Sequence, residues 1–150
     1  QNLSLLIFTC TYSSLILYFA LCFKQSHFII KLLLTYSVIL VFRMVTLSLL
    51  PFREPLDLIF LEDPFLNDLI YPGRIVRDLF FSGHTALIFS MFLLSGKKLV
   101  FLILTIIVGV SLMIQRVHFS IDVVAAIPFA YLAVFVVKNI MSHRMFVGKG

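Results

Sequence analysis

Residues 99–137 read LVFLILTIIVGVSLMI (99–114), QRVH (115–118) and FSIDVVAAIPFAYLAVFVV (119–137). Two apolar runs of 16 and 19 residues therefore flank four residues that include a cation and a histidine. Crossing a hydrocarbon core of ~30 Å takes roughly 17–25 helical residues, so the pair reads as two membrane helices joined by a tight turn. The same reading applies upstream to Leu3–Phe23, Leu32–Leu50 and Leu79–Ser95, which makes five candidate spans. With 61% hydrophobic and 13% charged residues, the chain lies far outside soluble usage. The expected fold is all-α, a polytopic transmembrane helix bundle forming a single domain over 1–150.

Leu3–Phe23 is a full-length span with no preceding Lys or Arg, unlike a cleaved signal peptide, so it is expected to remain. Gln1 in place of Met points to a trimmed chain with an N-terminal piece missing. The net charge of +5 does not imply nucleic acid, because the basic residues stand singly or in pairs at the ends of apolar spans. Cys10 and Cys22 share one span without a Cys-x-x-Cys pattern and read as apolar packing. The one long connection, Pro51–Arg77, holds four prolines and most of the acidic residues. Within it, Leu56–Tyr71 mixes apolar and acidic residues as a membrane-surface segment would.

Orientation follows from the basic residues of the connections. Lys24, Lys31, Lys97, Lys98, Lys138, Arg144 and Lys149 lie on one side, and Arg53, Arg74, Arg77 and Arg116 on the other. The first side is the better cytoplasmic candidate. An intramembrane ionisable residue is a functional candidate by default, because placing it there is costly. Arg43, Asp78, His84, His118 and Asp122 all fall at the opposite, non-cytoplasmic ends of the spans. His27 and His143 lie on the basic side and receive no role.

His118 and Asp122 are spaced i, i+4, which on a helix puts them on one face. A carboxylate there can accept a hydrogen bond from one imidazole nitrogen, fix the tautomer and leave the other nitrogen facing a substrate. A structural His–Asp lock between helices has the same spacing. Ser82-Gly83-His84-Thr85 opens the third span: Ser82 is a candidate N-cap, Gly83 admits a ligand to the backbone, and free first-turn amides favour an anion. An ordinary cap with an interfacial histidine is the plainer alternative. Arg43 and Arg116 are candidate phosphate contacts and Asp78 a contact to a headgroup cation; the plainer alternatives are an Arg43 that snorkels to the headgroups, an interfacial Arg116 and an Asp78 in a solvated loop. Ala125 and Ala126 on the fifth span allow close packing.

These motifs resemble the type 2 phosphatidic acid phosphatase superfamily, in particular its sphingomyelin synthase-like branch. The resemblance rests on Asp78-Leu79-Phe80-Phe81-Ser82-Gly83-His84-Thr85, on His118-Phe119-Ser120-Ile121-Asp122-Val123, and more weakly on Arg43-x-x-Thr46 before Leu50-Pro51. It implies a six-helix bundle, of which this chain would lack the first span. It also implies that His118 is the nucleophile, Asp122 its orienting group and His84 the general acid and base. Three departures stand out: Phe81 where the phosphatases have Pro, Leu112 where they have Arg, and no Lys-x6-Arg-Pro.

The expected function is therefore a membrane lipid phosphotransferase. It would move a phosphate-linked headgroup from a phospholipid donor to a lipid alcohol acceptor, needing no metal and no cofactor. A lipid phosphatase, with water as acceptor, is the alternative. Two further classes are a metal or haem protein using His84, His118 and Asp122, and a non-catalytic membrane scaffold.

Overall fold

The computed structural model describes residues 2–49, 81–96 and 98–147. The connection 51–77, Asp78 and the proposed start of the third span at Leu79 lie outside the described residues. Five helices carry the described chain: α1 (Ser4–Cys22), α2 (Ser26–Leu49), α3 (Gly83–Leu94), α4 (Leu99–Ile114) and α5 (Ser120–Val147). No strand occurs among the described residues.

Three of these helices contain stretches long and apolar enough to cross a membrane: Ser4–Cys22, His27–Leu49 and Ser120–Ser142, with mean hydropathies of 1.9, 2.1 and 2.2. The other two, α3 and α4, are apolar but have only 12 and 16 residues. At 1.5 Å per residue they reach about 18 and 24 Å, short of a ~30 Å core.

Two sequence boundaries are corrected. The second helix begins at Ser26, before the apolar run that starts at Leu32, and so carries Lys31 within its second turn. The fifth runs ten residues past Val137. In both cases hydropathy marks only the part suited to lipid, whereas the helix continues through residues whose long cationic stems can snorkel.

α3 is the hub. It touches each of the other four helices, which close a ring around it in the order α1, α4, α5, α2. The position follows from composition, because a helix apolar on every side has no face for water and becomes the buried element. No residue of α3 is exposed. The outer faces of the ring are apolar too: Ile16, Met44 and Leu49 are 71, 69 and 71% exposed. Such an inside-out distribution fits lipid as the solvent, and the apolar helices indicate a membrane-embedded protein.

Small residues bring the helices together. Ala126, Ala130 and Ala133 of α5 are fully buried against Ile39, Phe81 and Ala86. At Gly109 of α4 a Cβ would come within 2.9 Å of Val123 Cγ1, so only glycine permits this approach of α4 to α5. Cys22 is buried with Tyr18, Leu32 and Met91, and both cysteines are free thiols.

Candidate functional site

The site is assembled at one end of the bundle, where α2 and α4 finish and α3 and α5 begin. Ser82 is the N-cap of α3: its Oγ accepts from the Thr85 N–H at 3.3 Å and from the Thr85 hydroxyl at 3.0 Å. The Ser82 N–H donates to the main-chain carbonyl of Asp122 at 3.1 Å. This bond ties the Ser-Gly-His turn to the first turn of α5.

The Arg43 guanidinium lies against Gly83. A Cβ on Gly83 would overlap Arg43 Nη1, so the missing side chain is the space that the guanidinium fills. Arg43 Cζ is also 5.9 Å from the centroid of the Phe81 ring, which stacks on Phe129 at 4.6 Å with 6° between planes. The half-buried cation thus lies against the face of an aromatic ring.

Phe81 has φ +36°, in the left-handed region. A proline is fixed near φ −65° and could not take this conformation. Strain of ~1–2 kcal/mol for a non-glycine residue is offset by complete burial of the ring.

The turn that delivers His118 is built without glycine. After the α4 C-cap Gln115, Arg116 takes φ +58°, its N–H donates to Met113 O at 3.1 Å, and the Val117 N–H donates to Leu112 O at 3.2 Å. That double return is a Schellman motif. Val117 packs on the cluster that contains Leu112, the apolar contact usual for this cap. Gln115, fully buried, accepts from the Leu3 N–H at 3.0 Å and donates to Ser4 Oγ at 2.8 Å, fastening the turn to the start of α1.

His118 is two residues before α5, so the expectation that it shares a helical face with Asp122 is corrected. Their approach comes instead from the helix start. Asp122 is in the first turn, and its Oδ2 reaches back to accept the Phe119 N–H at 2.9 Å, one half of a capping box. The same oxygen is 3.7 Å from His118 Nδ1. Both side chains are buried, and among the described residues Nδ1 has no hydrogen-bond partner. The pair is poised rather than closed: a shift of ~0.8 Å would bring it to hydrogen-bond length.

His84 is half-buried in the first turn of α3, and its ring stands edge-on to Phe8 of α1 at 5.5 Å. Arg116 is exposed beside His118 in sequence. Asp78, proposed as a headgroup contact, lies outside the described residues, as do Arg74 and Arg77. Among the described residues, no three His, Cys, Asp or Glu side chains gather in a way that could hold a metal ion. The sequence reading gave no role to Gln115, Phe8 or Phe129. Gln115 was open to discovery as a lone amide closing an apolar run, whereas Phe8 and Phe129 resemble every other core phenylalanine.

No known family model, no curated protein and no solved structure matches this chain.

Proposed function

We propose that this chain is a membrane lipid phosphotransferase that moves a phosphate-linked headgroup between lipids through a phosphohistidine on His118. The observation that supports this most is the 3.1 Å bond from the Ser82 amide to the Asp122 carbonyl. It joins a histidine-bearing helix start to a His–Asp pair, with a guanidinium seated on the intervening glycine. A structural His–Asp lock would need neither the guanidinium nor the glycine.

Because Nδ1 of His118 faces Asp122, Nε2 is the nucleophile. It attacks phosphorus of the donor as the bond to the departing lipid oxygen breaks, and His84 supplies the proton to that oxygen. His84 then takes the proton of the acceptor hydroxyl, whose oxygen attacks the phosphohistidine. The P–N bond breaks and His118 is restored. Asp122 stabilises the imidazolium character that develops, and Arg43 balances the phosphoryl charge. No step needs a metal or cofactor.

A phosphodiester carries one negative charge and a monoester nearly two, and Arg43 supplies one cation. Leu112, where the resembling phosphatases have Arg, is fully buried beside Ile7, Ile88 and Val108 and has no access to a headgroup. This favours the diester. Arg116, two residues from His118, favours the phosphatase alternative to the extent that it adds a second cation.

All five helices are read as spans of one family-type bundle, its site turned to the non-cytoplasmic side by the lysine-rich opposite end. From Ser95 to Ser82 α3 rises about 20 Å, which would recess the site ~10 Å below the far surface of a ~30 Å core. A lipid's phosphate would then be drawn inward from the headgroup layer. The test uses purified protein, a phosphodiester donor and a fluorescent hydroxyl lipid. A labelled phospholipid product that depends on His118 is expected. Rapid release of inorganic phosphate from phosphatidic acid, with no transfer to several lipid alcohols, would establish the phosphatase instead.

A further inference from the structure

We propose that the lysine-lined cavity at the end of the bundle remote from His118 binds the headgroup of an anionic membrane phospholipid. Lys24 from the α1–α2 connection, Lys31 of α2, Lys98 before α4 and Lys138 of α5 all line one cavity of about 710 Å³. Among the described residues no carboxylate lines it. Asp122, the only acidic side chain among the described residues, precedes Lys138 on α5 by 16 residues, or about 24 Å of helix.

The topology rule for basic residues explains why lysines occur at this end. It does not explain why four separate chain segments direct them to one concavity. Gathered ammonium groups without a counter-ion repel one another, and a bound anion relieves that repulsion. The α4 start adds to the field, because its N-cap, Lys98, provides no side-chain acceptor for the first-turn amides.

Leu21, Phe28, Leu93 and Leu94 give the cavity an apolar wall, beside the polar Gln25 and Ser95. Lys31 Nζ lies 5.7 Å from the Phe28 ring centroid, so cation and apolar surface adjoin. A phosphodiester or monoester group would meet the lysines, while glycerol and the first methylenes cover the leucines and Phe28. Free phosphate shares the charge but leaves that apolar surface wet. A lipid is therefore the better occupant.

The test is native mass spectrometry of the purified full-length chain, offered phosphatidylglycerol and phosphatidylcholine of identical acyl chains. Selective retention of one phosphatidylglycerol is expected. Lys31→Gln/Lys98→Gln should reduce the preference about 25-fold, at roughly fivefold per neutralised lysine. Lys31→Arg/Lys98→Arg, which keeps the charge, should preserve it, and so should Arg43→Gln at the other end. Equal retention of both lipids would overturn the proposal. So would a preference lost in Arg43→Gln yet kept in Lys31→Gln/Lys98→Gln, or displacement by glycerol phosphate as effective as by phosphatidylglycerol.

Discussion

Gly83→Ala separates the proposed anion site from the fold. The added Cβ would overlap Arg43 Nη1 and stand 3.1 Å from Cζ and 3.7 Å from Cδ. These atoms are the tip of a flexible side chain, so Arg43 is expected to swing away while α3 keeps its place. Alanine is favoured over glycine by up to ~1 kcal/mol within a helix, and losing the Arg43–Phe81 contact costs ~0.5–2 kcal/mol. The two partly offset, so stability should change by no more than about 2 kcal/mol. Function should respond through the lost cation. A hydrogen bond to a charged group contributes ~1.5–3 kcal/mol, which at ~1.4 kcal/mol per decade corresponds to a 10- to 150-fold fall in kcat/KM for headgroup transfer. Arg43→Ala in the Gly83→Ala background should cost little more, because both changes remove one interaction. Wild-type kcat/KM in Gly83→Ala would refute the role of Arg43. A large loss of thermal stability accompanying the same fall would show instead that Gly83 serves only packing.

His118→Ala and His84→Ala should each abolish transfer while the protein still inserts and folds, and Asp122→Asn should lose most activity through the wrong tautomer. Activity close to wild type in His118→Ala would remove the nucleophile assignment. Arg116→Gly should relieve the left-handed strain at φ +58° and stabilise the protein by ~1 kcal/mol, while raising KM through loss of a cation; unfolding in denaturing detergent and substrate titration read the two effects separately. For orientation, cysteines at Gln25 and at Asn67 of the 51–77 connection, in a protein lacking Cys10 and Cys22, should differ in intact cells. A membrane-impermeant thiol reagent should label position 67 and spare position 25, and the reverse would overturn the assigned sidedness.

The apolar runs were legible because hydropathy alone distinguishes a lipid-facing helix, and α4 matches its run from Leu99 to Ile114. Helix ends were less so: α2 continues back through Lys31 because a lysine stem tolerates an interfacial turn that its mean hydropathy conceals. Ser82 announced its cap by residue type and the spacing to Thr85. The Schellman turn at Arg116 had no such signal, since the glycine that usually marks it is absent. With that turn hidden, His118 read as helical when it precedes the helix. The Arg43–Gly83 seat and the Ser82–Asp122 bond join residues distant in sequence, which local patterns do not encode. Nor does sequence order reveal that the shortest helix sits at the centre of the ring.

The measurement that bears most directly on the proposed chemistry is detection of the covalent intermediate. Purified protein would be mixed with a phosphodiester donor lipid in the absence of any hydroxyl acceptor, quenched under basic conditions that preserve phosphohistidine, and mapped by tandem mass spectrometry. A headgroup-phosphate adduct on His118 is predicted, disappearing when the acceptor lipid is added and absent from His118→Ala. Formation of the product lipid with no adduct on His118, or with the adduct on His84, would contradict it.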